Sequence, residues 1–391
     1  MSVQTTVLAH EDTHGGMQHN ESPNLLLSLG MGLRYLDSDE PYPYPRLPGV
    51  LEAGSARADE SGTDLDYAEL GAHASFNPQW SSGLRLTHHG GNDSHTEIES
   101  LWLEGGASFA DIRGRAGRQE VPLGFENLEH SHSRTFGITP IVMRAAVADA
   151  WIADGLRLDW GLSGGWSLGG GLWRNQGYPG VDSGELNLTT LRLGWRNESW
   201  RLETSYADAD AEGRALITVG EGGHTHSVPS CDTVSVDRVC FNGNARVWNA
   251  SARWQPVDSA WWIGGELWRK KEQGDLDSIY GVPRYEGEVN GGWIDMGYQI
   301  TPSLAVNARY ERMNVTNYLN GVNAGLIANQ VQIASADKTP HGIGMVVEWS
   351  PWRSVRLLGE WHRDDADGAS NDIVLLRLQM SFEYTHAFTS S

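Results

Sequence analysis

Histidine pairs are the residues of this chain whose type and spacing most directly suggest chemistry. His130 and His132 form one His-x-His pair, and His224 and His226 form another. In an extended segment such a pair places both imidazoles on one side, about 7 Å apart. Imidazole suits Zn²⁺ or Cu²⁺, although none of these groups has the strict spacing of a structural zinc site. A metal role is therefore an alternative to the simpler interpretation as polar loop residues.

Two further histidine groups strengthen the same hypothesis. His88 and His89 lie close in sequence to Asp93 and His95, and residues 1–22 hold several more imidazoles beside carboxylate and thioether side chains. Acidic loops could also hold Ca²⁺ or other divalent cations, although no cofactor is required. The tentative metal ligands are His10, His14, His19, His224 and His226.

Cys231 and Cys240 are the only cysteines of the chain, and both fall in one predicted long loop. An isolated even pair in an exposed loop of an exported protein is typical of a disulfide that stiffens the loop. A metal site shared with His224 and His226 is the alternative. We predict the disulfide.

The elements that must position these groups are strands. From Leu376 to Phe388 every second residue is bulky and apolar, aromatic or histidine, and the residues between them are small or polar. Strict period-two alternation predicts a strand with one apolar and one polar face. Its aromatic end resembles the closing strand of a Gram-negative outer-membrane β-barrel.

Composition favours a membrane barrel over a soluble enzyme. The chain of 391 residues has a net charge of −21, 47 Gly, 17 Trp and a hydrophobic fraction of only 39%. It contains no apolar run long enough for a helical membrane span, and a helical pattern is present only near 143–153. A transmembrane barrel explains this composition because only one face of each strand must be apolar.

The same alternation recurs in sixteen segments, with short turns and long connections in strict succession. We therefore predict an all-β fold, a 16-stranded antiparallel transmembrane β-barrel with short periplasmic turns and long extracellular loops. The sixth strand can be placed in several ways between 149 and 160. The predicted long connections are 37–63, 88–96, 122–153, 174–185, 209–243, 270–286, 316–340 and 364–371.

This pattern defines the domain organisation. Residues 1–22 are a His-rich periplasmic segment, 23–388 are the barrel, and 389–391 are a short tail. The connection at about 122–153 is predicted to fold inward as the constriction loop, because long loops without regular structure are usually functional. The chain carries no complete signal peptide, so an integral location in the bacterial outer membrane follows from the barrel alone. Outer-membrane lipids and lipopolysaccharide are then the expected surroundings, and no nucleic acid is expected.

One segment carries a family resemblance. Residues 114–128 read GRAGRQEVPLGFENL, which resembles the G-R-x-x-x-P-F-G-x-E entry to the constriction loop of the phosphate-selective porin O/P family. The resemblance implies a passive diffusion channel and a homotrimer. Its substrate preference is not carried over, because phosphate selection needs clustered Arg and Lys. The three lysines, Lys270, Lys271 and Lys338, all fall in predicted external loops.

Inward positions carry both charge signs, as in general porins where a basic wall faces acidic loop residues. The predicted constriction residues are Arg113, Arg115, Glu126, Glu129, His130, His132 and Arg134. Cross-strand pairing of these charges is the alternative. The other predicted lumen residues are Arg34, Arg85, Arg157, Arg192, Arg201, Arg253, Arg309, Arg356, Arg377, Glu69, Glu311 and Glu348.

These observations predict an outer-membrane porin for passive diffusion of small polar solutes or ions. The alternative is a porin dedicated to Zn²⁺ or Cu²⁺ uptake or handling through its histidine-rich loops. A barrel-embedded hydrolase is the least favoured class. His130 and Ser131 stand side by side, but no motif fixes a nucleophile, a base and an orienting group together. We therefore predict that the protein is not an enzyme.

Overall fold

The computed structural model describes residues 23–53, 58–92, 94–107, 110–217, 231, 233–236, 238–334, 339–366 and 368–387. The strands are β1 (Asn24–Ser38), β2 (Gly62–Asn77), β3 (Trp80–His89), β4 (His95–Ala107), β5 (Ile112–Glu120), β6 (Ile152–Gly161), β7 (Trp166–Arg174), β8 (Leu188–Arg196), β9 (Trp200–Asp210), β10 (Arg214–Ile217), β11 (Arg238–Trp254), β12 (Trp261–Asp277), β13 (Arg284–Thr301), β14 (Leu304–Asn320), β15 (His341–Trp352), β16 (Val355–Asp364) and β17 (Asn371–Ala387). The α-helices are α1 (Phe125–Leu128), α2 (Ile141–Val147) and α3 (Ala324–Gln330). None of these helices has both the length and the apolar character needed to cross a bilayer.

The strands close into a barrel. Consecutive wall strands pair antiparallel, and β1 pairs with both β2 and β17, so that Asn24 lies opposite Ala387. The short strand β10 pairs only with the outer end of β11, while β9 continues the wall directly to β11. The wall therefore contains sixteen antiparallel strands, which confirms the predicted fold. Each wall strand therefore pairs with a neighbouring strand on both sides over at least part of its length.

The period-two pattern gives each wall strand an apolar outer face. On β1 the side chains of Leu27, Leu29 and Met31 are exposed, while the alternate positions face the interior. Leu267 on β12, which is 67% exposed, shows the same arrangement on the opposite wall. Large exposed apolar side chains recur on almost every wall strand, so the outside of the barrel is a continuous apolar belt.

The connections at one end of the barrel are short turns and those at the other end are mostly longer, which follows the predicted alternation except at 90–94, 278–283 and 365–370. The short turns are 78–79, 108–111, 162–165, 197–199, 255–260, 302–303 and 353–354, and they leave one end of the barrel. The connections at the other end are 39–61, 90–94, 121–151, 175–187, 211–237, 278–283, 321–340 and 365–370. The predicted connection 270–286 was wrong in extent. Strand β12 continues to Asp277, and strand β13 already begins at Arg284. Lys270 and Lys271 therefore belong to a strand and not to a loop.

One prediction on the third long connection needs correction. The helical segment α2 covers Ile141–Val147 instead of 143–153, and it ends where Ala148 adopts φ 65°. The sixth strand, whose position the sequence left open, is Ile152–Gly161. The apolar spacing continues past α2 because Trp151 is also buried, so the pattern alone overestimates the helix.

Two connections fold into the barrel. The apolar side chains of 121–151 form one buried cluster with Tyr44, Leu47 and Val50 of the first connection. The cluster also includes inward side chains of the wall, among them Trp268, and α2 packs against β12, β13 and β14. This cluster places 121–151 inside the barrel, with 39–53 as a second inserted segment.

A second apolar cluster closes the long-connection end of the barrel. Ile327 and Val331, in and just after α3, are fully buried against Phe241, Leu276 and Tyr285 of the strands below. The predicted disulfide is present nearby, with Cys231 and Cys240 joined across a Cα–Cα distance of 5.7 Å. The predicted ligands His10, His14, His19, His224 and His226 lie outside the described residues, as do Lys338 and Phe388.

Candidate constriction site

The inserted segment 121–151 is closed at its root by one side chain. The Asn127 amide Nδ2 donates to the carbonyl oxygen of Val121 at 2.8 Å, and the backbone N–H of Trp151 donates to Asn127 Oδ1 at 2.6 Å. Asn127 is fully buried. The segment therefore leaves and re-enters the wall at one point. Its buried apolar side chains lie in the lumen, and we call the segment the constriction loop.

Carboxylates of the wall hold the backbone of the constriction loop from inside the barrel. Each accepts a backbone N–H of the loop, and hydrogen bonds to a charged acceptor are stronger than neutral ones. The bonded pairs are Glu266 with Glu126 (2.7 Å), Glu311 with Ile141 (2.6 Å) and Glu360 with Gly137 (2.7 Å). These wall carboxylates fix the position of the loop and are unavailable to a passing solute.

Wall donors bind the carbonyl oxygens on the other side of the loop. The pairs are Arg356 with Ser133 (2.9 Å), Gln379 with His132 (2.7 Å) and Arg377 with Thr135 (2.7 Å). The loop is thus bound to β12, β14, β16 and β17 through its backbone.

The predicted opposition of Arg113 and Arg115 to Glu126 and Glu129 is wrong. Both arginines contact Glu104 on the neighbouring strand, at 3.3 and 2.8 Å. Arg113 follows directly after a short turn, so it lies at the end of β5 opposite the loop root. The cross-strand alternative therefore describes these two arginines.

The acidic residues of the loop face the opposite wall. Glu126 lies 3.5 Å from Arg309 and 4.0 Å from Arg134. Arg134 is buried and also donates to the carbonyl oxygen of Glu129. Burial of the Glu129 carboxyl, together with the nearby charge of Glu126, raises its pKa above the usual range. The charges of the loop and of this wall therefore neutralise each other in close pairs. They do not face each other across the passage.

Several predicted lumen residues are buried beneath the inserted segments. Their exposed fractions lie between 1% and 7%, and they are Arg157, Arg192, Arg309, Arg377 and Glu311. Each has a charged partner, such as Asp159 for Arg157 at 2.6 Å and Asp295 for Arg309 at 2.7 Å. The alternation along the strands correctly predicted that these side chains point inward. A water-filled lumen was expected around them, but they contact wall carboxylates and loop backbone instead.

The remaining predicted lumen residues are only partly covered. Their partners are Asp59 for Arg34 (2.5 Å), Glu69 and Glu120 for Arg85 (3.6 and 3.3 Å) and Glu348 for Arg356 (2.8 Å). Arg201 and Arg253 instead lie over the aromatic rings of Phe125 and Trp262, at 4.1 and 4.5 Å from the ring centres. The interior is therefore a set of paired charges of both signs.

The histidines of the constriction loop meet the wall formed by β2, β3 and β4. His130 Nε2 lies 2.6 Å from Glu69, and His130 Nδ1 lies 3.3 Å from Glu99. On the adjacent strands His89 Nε2 lies 3.3 Å from Glu99 and 3.2 Å from Glu97, which also contacts His95 at 3.5 Å. We call this group, with His132, the histidine–glutamate cluster.

His132 occupies the centre of this cluster. Its ring stacks on Tyr67 with 3.9 Å between centres and lies 5.3 Å from His89 and 5.1 Å from His130. Its Nε2 is buried and makes no hydrogen bond within the described part of the chain. Burial and the neighbouring His130 lower the pKa of His132 well below its usual value, so the imidazole is neutral at physiological pH.

The cluster brings candidate metal ligands together from separate elements. Among the described residues, three sets of ligand atoms each lie within 4.8 Å of one another: His89, His95 and Glu97; His89, Glu99 and His132; and Glu69, Glu99 and His130. Sequence reasoning identified the histidines but missed Glu97 and Glu99. Their period-two spacing from His95 on one strand was the available signal, since it places all three side chains on the same face.

A cavity of about 320 Å³ borders the cluster. Its lining includes His89, Glu99, His130 and His132 on one side, with Arg34 and Arg118 nearby. Tyr42 and Glu52 of the first inserted segment also line it, and burial raises the pKa of the Glu52 carboxyl. The cavity is therefore a space inside the barrel that both polar and apolar side chains line, next to the constriction loop.

No protein-family model and no curated protein matches this sequence. Solved structures share the fold. An anion-selective porin from Comamonas acidovorans has a TM-score of 0.58 at 14% identity, covering 92% of this chain and 99% of that one. A loop-deletion mutant of OmpT, an outer membrane protein of Vibrio cholerae, has a TM-score of 0.55 at 12% identity, covering 92% and 99%.

OmpF from Salmonella typhi, in a complex with daunomycin, has a TM-score of 0.53 at 11% identity and covers 92% of this chain and 97% of that chain. At these identities the likeness establishes the fold alone. The resemblance of residues 114–128 to the phosphate-selective O/P family stays a prediction. What the chain shares with these proteins is the sixteen-stranded antiparallel barrel of porins.

Proposed function

We propose that this protein is a porin of the bacterial outer membrane, through which small polar solutes or ions diffuse passively. The observation that carries the proposal is the closed sixteen-stranded barrel whose outside is an apolar belt and whose inside is charged. Such a wall is stable in a bilayer because neighbouring strands pair all the way round and large apolar side chains dominate the outside. Outer-membrane lipids and lipopolysaccharide would surround it.

The passage that we propose is narrow and lies to one side of the lumen. The constriction loop and residues 39–53 pack against β11 to β14, whereas the cavity borders the opposite wall and the histidine–glutamate cluster. A solute would therefore pass along this cavity, beside the contact of His130 and His132 with strands β2 to β4. This geometry supports small solutes and argues against large ones.

The charges of the interior argue against phosphate as the preferred solute. Lys270 is buried beside Glu272 at 3.3 Å and against Tyr178, and Lys271 pairs with Glu288 at 3.3 Å. The described arginines of the lumen are paired with carboxylates or cover aromatic rings. Replacing the hydration of phosphate requires several unneutralised donors in one place. We propose a weakly selective channel and a homotrimeric assembly through the apolar belt.

A second candidate function is handling of a transition metal ion during passage. The histidine–glutamate cluster on the cavity wall favours it, because imidazole and carboxylate together suit Zn²⁺ or Cu²⁺. A hydrolase has no comparable support. Ser131 and Ser133 flank His132, but the hydroxyl of Ser133 donates to the carbonyl oxygen of His130.

The test of the porin proposal is reconstitution of the purified full chain in planar lipid bilayers. We expect stepwise conductance in KCl and a small reversal potential under a salt gradient. A detergent-corrected mass of three chains would support the trimer. Absence of conductance over the accessible voltage range would refute the porin proposal, and strong anion selectivity with phosphate block would restore the function that the family resemblance implies.

A further inference from the structure

We propose that the histidine–glutamate cluster contains a binding site for one divalent transition metal ion, formed by His89, Glu99 and His132. The site joins the constriction loop to strands β3 and β4. It combines histidines from two of the groups that the sequence suggested, the pair His130 and His132 and the group around His89. The tentative ligands in residues 1–22, and His224 and His226, lie outside the described residues. The existence of the site rests on the geometry of these side chains, and only its role in passage rests on the proposed porin function.

The distances between donor atoms fit a metal ion after small adjustments. Metal–nitrogen and metal–oxygen bonds of about 2.0–2.2 Å put neighbouring donors of a tetrahedral site roughly 3.3–3.6 Å apart. His89 Nε2 already lies 3.3 Å from Glu99 Oε1, whereas His130 Nδ1 lies 3.3 Å from the other carboxylate oxygen, Glu99 Oε2. The donor atoms of His89, Glu99 and His132 all lie within 4.8 Å of one another. Rotation of these side chains by about 1 Å at the donor atoms would bring them to bonding geometry.

The environment of His132 distinguishes this site from ordinary ion pairing. A histidine that merely pairs with glutamates needs no further donor or acceptor, as at His341 and Asp365. His132 Nε2 instead is buried without a hydrogen bond in the described part of the chain. Leaving a buried polar atom without a partner costs about 1–3 kcal/mol. A metal ion would satisfy it.

The donor set defines the class of the ion. Imidazole with one carboxylate suits Zn²⁺, Cu²⁺ or Ni²⁺, whereas Ca²⁺ and Mg²⁺ prefer oxygen donors only. Both cysteines of the chain are in the disulfide, so no thiolate contributes. A neighbouring group also orients one of the proposed ligands. The Thr87 hydroxyl donates to the Glu99 carboxylate at 2.9 Å, as groups around a metal site commonly do for its ligands.

The cavity supplies a route to the site. His89, Glu99, His130 and His132 all line the same cavity. An ion that travels along the proposed passage would therefore meet the cluster directly. A bound ion would also tie the loop to the wall at this point and narrow the passage further.

The test uses Zn²⁺ alone with the purified full chain in detergent. Equilibrium dialysis of the unmodified protein and of His132→Ala, Glu99→Gln and His89→Ala variants counts the bound ions. We expect each variant to bind one Zn²⁺ fewer per chain than the unmodified protein. The matched control is His88→Ala, because His88 is next to His89 but contacts Thr96 and Ser94 outside the cluster.

X-ray absorption at the zinc edge and bilayer currents complete the experiment. We expect a shell of nitrogen and oxygen donors near 2.0–2.1 Å that is lost in the His132→Ala variant, and micromolar Zn²⁺ should block the current of the unmodified protein but not of this variant. Equal Zn²⁺ binding by His132→Ala, Glu99→Gln and the unmodified protein would overturn the site. A protein that conducts but binds no Zn²⁺ at the cluster overturns the metal site alone. One that binds Zn²⁺ there without conducting refutes only the porin proposal.

Discussion

The constriction loop has two faces that differ in almost every physical property. The face toward β12, β13 and β14 is apolar, with Val142 and Met143 packed against Trp268 and Trp293 in a dry cluster. The face toward β2, β3 and β4 carries imidazoles that meet carboxylates beside a cavity. One face fixes the position of the loop, and the other presents chemical groups to the passage. The residues that fix the position of the loop are therefore different from those that set the selectivity of the passage. Mutations on the two faces should change different measured properties.

The largest effect is expected from a charge on the packed face. Met143 is fully buried, and a Met143→Asp variant places an unpaired carboxylate in the apolar cluster at a cost of several kcal/mol. The loop should leave the wall, so that single-channel conductance rises several-fold. Met143→Leu is the control, because a swap of similar volume costs less than about 1.5 kcal/mol. Unchanged conductance in Met143→Asp would mean that the loop does not set the channel width.

A smaller effect is expected where one wall carboxylate holds the loop. Glu266 accepts the Glu126 backbone N–H and also the side-chain donors of Asn249 and Trp268, at 2.7 and 3.0 Å. In a Glu266→Gln variant the charged acceptor is lost, and the new amide N–H group faces one of the three donors. The donor left without an acceptor costs about 1–3 kcal/mol of folding free energy. We expect a lower urea midpoint for unfolding and noisier open-channel current. Glu288→Gln, which alters an exposed ion pair with Arg269, should change neither quantity.

A third effect concerns the polar face and should alter selectivity. Replacing His130 by alanine removes the imidazole between Glu69 and Glu99 and leaves each of these carboxylates with one charged partner fewer. The reversal potential under a KCl gradient should shift toward cation selectivity, and the unfolding midpoint should fall because a largely buried charge pair is broken. His88→Ala is the control. A shift in the anion direction would contradict the assignment of this face to the passage.

The smallest effect is expected from the disulfide, which belongs to neither face. Cys231 and Cys240 join the connection 211–237 to the outer end of β11. Replacing both by serine removes a covalent link that is worth roughly 2–3 kcal/mol in the loop-entropy description. We expect unchanged conductance and faster protease cleavage within this connection. A change in conductance would show that this connection also shapes the passage.

The wall of the barrel was predictable because period two is a local property of the chain. Leu29 and Leu267 face outward because they are apolar residues in an alternating pattern, which their immediate neighbours in the sequence show. The contents of the lumen were not predictable in this way. An inward side chain such as Arg309 looks the same in the sequence whether water or another segment meets it. Trp268 and Trp293 at inward positions were the one local sign that apolar material would fill that side.

The candidate site was predictable only in part for the same reason. The pair His130 and His132 stands out in the sequence, but its partners Glu69, His89 and Glu99 come from three other strands. Which strands a long loop meets depends on the hydrogen bonds that anchor it, and those involve residues such as Glu360 far along the chain. The opposition of Arg113 to the loop carboxylates failed because strand direction, not spacing, decides which end of the barrel a residue occupies.

The seam between β1 and β17 has a consequence for the making of this protein. Asn24 and Ala387, from opposite ends of the described chain, are direct partners, and the pairing runs the full length of β1. Until the last strand arrives, the sheet has two open edges, each a template for another strand. Contacts of such long sequence separation form slowly. Incomplete chains should therefore be the species most prone to aggregate during synthesis and transit, and assembly should depend steeply on the integrity of the final strand.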